Sequence, residues 1–123
     1  MTVSEAISRA DAIAPNQYNN TQKLQWLSDL DGRIYHEVFR THEPGFGVML
    51  PYEGHDSTDD ELFVQEPYGA DLYVNYLLSR VAEANAEIQK YNLYATLFNE
   101  AYKSFTNKFN REHMPKEAGP WRF

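Results

Sequence analysis

The sequence predicts a small all-α protein, a helical bundle that forms one domain over residues 1–123. Apolar residues recur at steps of three and four in three segments, which is the spacing of one helix face. Cysteine is absent, so the fold has to rest on packing rather than on disulfides or zinc-thiolate sites. With 123 residues, 42% of them hydrophobic, the chain is long enough for one compact core and too short for a two-domain enzyme.

The first predicted element is a short helix over 3–13. Thr2 stands three residues before Glu5, the spacing of a capping box in which two side chains satisfy free backbone N–H groups. The apolar positions that follow at helical intervals are Val3, Ile7, Ala10 and Ala14. Pro15 then favours an end to this helix.

A second helix is expected to begin at Asn19 or Asn20, since either side chain is a good cap, and to end near 40–42 before Pro44. Its apolar stripe steps by 3, 3, 4 and 4 along Leu24, Leu27, Leu30, Ile34 and Val38. Gly32 inside it costs about 1 kcal/mol relative to alanine, so packing has to hold this helix.

Residues 43–67 differ in character and predict a loop, or a loose β-hairpin, that projects from the helices. Pro and Gly interrupt short strand-like runs, and residues 43–71 carry eight acidic and no basic side chains. The loop acids singled out are Asp56, Asp59, Asp60 and Glu61. They lack the alternating spacing and central glycine of a calcium loop, so we interpret them as a solvated acidic loop.

The last segment has the strongest pattern and predicts one long helix from Tyr68 to Arg111, straight or kinked at Asn92. Its stripe covers 36 residues in ten steps, a mean of 3.6, along Tyr73, Leu77, Val81, Ala84, Ile88, Tyr91, Ala95, Phe98, Tyr102, Phe105 and Phe109. The alternative is a break near 91–94 that gives two antiparallel helices.

A helix of this length would be about 65 Å long, so two short N-terminal helices could not cover its whole aromatic stripe. We therefore expect a partner to cover part of it. The candidate interface residues on this helix are Tyr91, Tyr94, Phe98, Tyr102, Phe105 and Phe109.

The segment 112–123 is expected to be an extended C-terminal tail. It ends in Trp121, Arg122 and Phe123, residue types common at interface hot spots. Docking on a partner and folding back onto the chain's own core are both open at this point.

Catalytic, cofactor-binding and metal sites are not predicted. The four histidines have no metal-site spacing, and phosphate-binding or nucleophile motifs are absent. Since Lys and Arg do not cluster and the net charge is −7, tight DNA binding is disfavoured. The chain has no signal-peptide pattern and no window apolar enough for a bilayer, so we expect cytosolic synthesis and no membrane partner. These exclusions favour an interaction protein.

Several short sequence segments resemble a known protein family. They are residues 4–11 (SEAISRAD), 23–35 (KLQWLSDLDGRIY), 66–68 (EPY) with 71–73 (DLY), 97–102 (LFNEAY) with Phe105, and 110–115 (NREHMP). Together they resemble the head-tail connector, or head-completion adaptor, proteins of tailed bacteriophages and prophages of Gram-positive bacteria. The departures are Gly69-Ala70, which extends the start of the last helix, and the loop 44–66.

The resemblance implies an all-helical subunit of the virion neck, made in the bacterial host cytoplasm and assembled as a ring, commonly twelvefold. Such a ring lies between the portal protein and a tail-side neck protein, extends the DNA channel and uses no cofactor. Acidic residues facing the channel would repel phosphate, so DNA would pass without specific binding.

Two other classes stay open from the residues alone. One is a regulatory or anti-host binding module that uses the acidic loop as a nucleic-acid mimic. The other is a small metal-dependent hydrolase, which would depend on His55 or Asp59.

Overall fold

A computed structural model of the chain describes residues 1–37, 54–65 and 67–112. Within these ranges the chain forms four helices, α1 (Val3–Ile13), α2 (Asn20–Glu37), α3 (Tyr68–Ala84) and α4 (Ile88–Glu112). The described residues contain no strand, only an isolated antiparallel bridge between Thr2 and Glu61. The predicted small all-α bundle is confirmed.

Helix α1 begins and ends where the sequence predicts. Thr2 Oγ1 accepts a hydrogen bond from the backbone N–H of Glu5 at 3.2 Å, and the N–H of Thr2 donates to the Glu5 carboxylate at 3.1 Å. The capping box is therefore complete, and it lowers the pKa of Glu5, chiefly through the hydrogen bond from the backbone of Thr2. The inner face of the helix buries Val3, Ala6, Ile7 and Ala10.

Helix α2 is capped by Asn19, whose side-chain oxygen accepts from the N–H of Gln22 at 2.8 Å. Its inner face buries Trp26, Leu27, Leu30 and Ile34. The predicted end of this helix near 40–42 lies outside the described residues.

The third segment is a helical hairpin, so the expectation of one long helix is wrong. The chain turns between α3 and α4 at Asn85, Ala86 and Glu87, with Ala86 in the left-handed region at φ 59°. The alternative of two antiparallel helices is confirmed, but the break precedes 91–94. The spacing did not reveal it because the turn separates Ala84 from Ile88 by four residues, which equals one helical step.

Folding back gives α4 a surface to pack on. The rings of Tyr76 on α3 and Phe98 on α4 lie 5.2 Å apart, and Phe98 is only 5% exposed. Phe105 and Phe109 are buried in the same core. These three phenylalanines of the aromatic stripe are therefore covered within the chain, because α4 folds back on α3 instead of extending away from the two N-terminal helices.

The described part of the predicted loop, 54–65, packs against the helices instead of projecting. Leu62 and Val64 are buried, and the N–H of Leu62 donates to the carbonyl of Met1 at 3.0 Å. A Cβ on Gly69 would lie 2.5 Å from the carbonyl oxygen of Val64, which explains the glycine in the first turn of α3. Residues 38–53, with the strand-like run of the hairpin alternative, lie outside the described residues.

Candidate functional site

A polar cluster lies inside the bundle where α2, α3 and the segment 54–65 meet. Asp31 on α2 is fully buried, and its carboxylate accepts three hydrogen bonds. One oxygen accepts from Nε2 of His55 at 2.6 Å and from the N–H of Phe63 at 3.1 Å. The other accepts from the hydroxyl of Tyr73 at 2.5 Å. We call Asp31, His55 and Tyr73 the polar joint.

Further hydrogen bonds extend the polar joint into the backbone. The Tyr73 hydroxyl accepts from the N–H of Val64 at 2.9 Å, and the N–H of His55 donates to Ser28 Oγ at 2.9 Å. Nδ1 of His55 lies 3.6 Å from the carboxylate of Asp60. Because a carboxylate only accepts, Nε2 of His55 carries the proton shared with Asp31.

The cluster shifts the titration of two of its members. The hydrogen bond to Asp31 raises the pKa of His55 against the opposing effect of burial, and the charges of Asp31 and Asp60 add to the rise. Burial, reinforced by Asp31, raises the pKa of Tyr73 well above its ordinary value. Tyr73 is therefore a neutral donor at physiological pH.

This arrangement indicates a structural role for the polar joint, because the buried carboxylate is occupied by donors of its own chain. Sequence reasoning named His55 only within the hydrolase alternative and missed both Asp31 and Tyr73 as polar partners. A signal was present: Asp31 lies four residues after Leu27 and three before Ile34, on the apolar stripe of α2. A charge at such a position requires a buried partner.

The four acidic residues singled out in the loop do not converge on one point. Asp56 and Asp59 are exposed, whereas the Asp60 carboxylate accepts from the N–H groups of Asp56 and Ser57. Glu61 lies 3.2 Å from the N-terminal ammonium group. No group of three or more potential metal ligands occurs in 1–37, 54–65 and 67–112. Two of the four carboxylates therefore bind groups of this chain itself.

The predicted interface residues of α4 divide into two sets. Phe98, Phe105 and Phe109 belong to the core, while Tyr91 and Tyr94 are half-buried.

Tyr102 is also half-buried, and it joins α4 to the end of α2. Its hydroxyl donates to Glu37 at 2.8 Å, and the guanidinium of Arg33 lies 4.8 Å above its ring. Burial and this hydrogen bond raise the pKa of Tyr102 to about 12. Trp121, Arg122 and Phe123 lie outside the described residues.

The outer side of α4 carries apolar residues that the sequence analysis did not single out. Leu93 is 55% exposed and Leu97 is 38% exposed, one helical turn apart and off the aromatic stripe. We call these two residues the outer leucines. Ile88, at the hairpin turn, is 71% exposed.

Beside Leu97, an open groove of about 550 Å³ runs between the start of α3 and the middle of α4. Residues of both helices line it, among them Tyr68, Asp71, Asn75, Leu97, Glu100 and Ser104. We call it the α3–α4 groove. Spacing alone did not predict it, because it exists only once α4 has folded back on α3.

Comparisons of the chain with protein families, with curated proteins and with solved structures found no match. None of the helices in the described ranges has the length and apolar character needed to cross a membrane.

Proposed function

We propose that the chain is a structural assembly protein of a bacteriophage neck, forming an adaptor ring between the portal protein and the tail-side neck proteins. The observation that carries this proposal is the resemblance of strings spread from residue 4 to residue 115 to the head-tail connector family. Those strings contain Asp31 and Tyr73 of the polar joint and the core residues Leu27 and Phe98. The resemblance therefore falls on residues that build this fold.

The outer leucines supply an apolar surface for the subunit contact of such a ring. A closed ring needs two different surfaces per subunit, one of which meets the other on the next copy. Phe98, Phe105 and Phe109 are already buried, so the contact uses Leu93 and Leu97 rather than these three phenylalanines. Exposed leucines gain from burial at the centre of an interface.

The exposed acids fit the passage of DNA. Asp56 and Asp59 extend into solvent and carry no counter-charge from a basic residue among the described residues. Facing the channel of the ring, they would repel phosphate and keep DNA from adhering. In this proposal the C-terminal residues Trp121–Phe123 attach the ring to the portal.

The test mixes the purified chain with the portal protein of the same phage or prophage and images the particles by electron microscopy. We expect an added ring on the tail-facing side of the portal. A variant lacking residues 116–123 is expected to lose attachment while keeping its helical circular dichroism.

A second pair of variants tests the ring contact. Leu93→Glu with Leu97→Glu should abolish the ring. Asn92→Glu with Asn99→Glu, which adds the same charges at exposed positions elsewhere on α4, should leave it intact. Absence of any complex between the unaltered chain and the portal would overturn the proposed function, and rings formed equally by both pairs would overturn the role of the outer leucines.

A further inference from the structure

The α3–α4 groove contains two carboxylates that the rest of the described chain leaves unpaired. Asp71 in the first turn of α3 and Glu100 in the middle of α4 are both exposed, and neither takes part in a side-chain hydrogen bond or ion pair. The described residues that line the groove include no Lys or Arg, and Lys108 lies over the ring of Tyr68 at 5.4 Å. The groove is therefore a concave surface with net negative charge.

Apolar surface accompanies these charges. Leu97 forms part of the wall and is 38% exposed, and Ala101 lies beside it. A segment that fits the groove needs a cation to meet the carboxylates and a large apolar side chain to cover the leucine. A lone inorganic cation would satisfy only the first requirement.

The eleven residues after α4 supply both groups. They include Lys116 and Arg122 as cations against the one acid Glu117, and Trp121 and Phe123 as large aromatic side chains. Arg122, which is flanked by the two aromatic residues, therefore gives this segment the charge and the apolar surface that the groove requires.

The segment after α4 is long enough, and begins close enough, to reach the α3–α4 groove. Because the hairpin is antiparallel, the end of α4 lies near the start of α3, where Tyr68 and Lys108 meet. Glu100 is twelve residues before Glu112, or about 18 Å along the helix axis. Eleven residues span up to about 36 Å when extended, which is enough to reverse and reach Glu100.

We propose that residues 116–123 dock in the α3–α4 groove of their own chain, with Arg122 paired to Asp71 and Glu100 and Trp121 packed on Leu97. A tether this short presents the segment at an effective concentration of about 1 mM, so even a weak contact is populated. This docking belongs to the isolated chain and stands whether or not the neck assignment holds.

The absence of cysteine makes disulfide trapping a clean test. The double variant Ser104→Cys with Ala118→Cys of the 123-residue chain places one thiol in the groove and one in the segment, and keeps Trp121, Arg122 and Phe123. The matched control is Asn99→Cys with Ala118→Cys, whose helix position is exposed and away from the groove. Both variants are oxidised mildly at low protein concentration and analysed by non-reducing electrophoresis and intact mass.

We expect the groove variant to form an intramolecular disulfide about tenfold faster than the control, because docking raises the effective concentration of one thiol near the other. Adding Glu100→Lys to the groove variant should remove most of this difference in rate. Adding Arg122→Glu as well should restore the faster rate, because the two charges are then exchanged. Equal rates in the groove and control variants would overturn the proposal. Disulfide-linked dimers in place of monomers would also overturn it and identify a second copy as the source of the segment.

Discussion

The polar joint and the α3–α4 groove both place carboxylates between two helices, but these carboxylates differ in burial and in hydrogen bonding. Asp31 is fully buried and accepts three hydrogen bonds from its own chain, whereas Asp71 and Glu100 are exposed and unpaired among the residues that the structure describes. Burying an unpaired charge would cost several kcal/mol, so only the satisfied carboxylate can lie inside. The comparison teaches that the charge of the first site is satisfied inside the fold, whereas the charges of the second site face solvent.

The largest expected effect is the difference in stability loss between substitutions on the inner and on the outer side of α4. Phe98→Ala should lower the free energy of unfolding by about 3–4 kcal/mol, because it removes a buried ring between Tyr76 and Tyr102 and leaves a cavity. Leu93→Ala, at an exposed position on the same helix, should lower it by less than about 0.5 kcal/mol. Urea denaturation followed by circular dichroism measures both, and equal losses would contradict the burial of Phe98 in the single chain.

The next effect tests the polar joint itself. Asp31→Asn should lower the free energy of unfolding by about 2–3 kcal/mol, because one acceptor oxygen becomes an NH₂ group that faces a donor of His55, Phe63 or Tyr73.

The control for this variant is Asp29→Asn, an exposed position on the same helix whose carboxylate accepts from the side chain of Gln25. It should change stability by less than about 0.5 kcal/mol. If Asp31→Asn lowers the free energy of unfolding no more than its control does, the polar joint does not hold the segment 54–65 to α2.

The sequence predicted those parts of the fold that depend on local chemistry. The capping box of Thr2 and Glu5 depends on three-residue spacing, so α1 was predicted with its observed limits. The sequence did not predict the turn at 85–87, because Ala84 and Ile88 keep helical spacing across it.

The polar joint and the groove were missed for a different reason. Tyr73 contacts Asp31 across 42 residues of sequence, and Glu100 shares a groove with Asp71 only after α4 reverses. Periodicity reports which face of a helix is apolar, but it does not report which distant polar groups meet.

A smaller effect follows from the raised pKa of His55. A raised pKa means that the folded chain binds the proton more tightly, so its contribution to stability is complete below the ordinary value of 6.5 and is lost as pH rises through the raised value. The charged groups of the described residues that face the ring are Asp31 and Asp60, while Tyr73 has its pKa raised well above 10.0 and does not titrate in this window.

We therefore expect the stability difference between the unaltered chain and His55→Gln to shrink as pH rises from 6 to 9, measured by urea denaturation at each pH. The decline should be smaller than the loss in Asp31→Asn, because neutral His55 still donates from Nε2. The other histidines are common to both proteins, so their titration cancels. A difference that grows with pH would contradict the assigned hydrogen bond.

The smallest expected effect on folding lies in the α3–α4 groove. Glu100→Gln should change the free energy of unfolding by less than about 0.5 kcal/mol, since an exposed side chain, even when paired to Arg122, contributes little to global stability. Asp71→Asn should cost slightly more, about 0.3–1 kcal/mol, because a negative charge in the first turn of α3 interacts with the helix dipole. The same Glu100→Gln change, added to the Ser104→Cys and Ala118→Cys pair, should slow disulfide formation several-fold. If Glu100→Gln leaves the free energy of unfolding constant but slows disulfide formation, the Glu100 carboxylate acts in binding the segment. A loss of more than about 1 kcal/mol in the free energy of unfolding would instead show that Glu100, like Asp31, stabilises the fold.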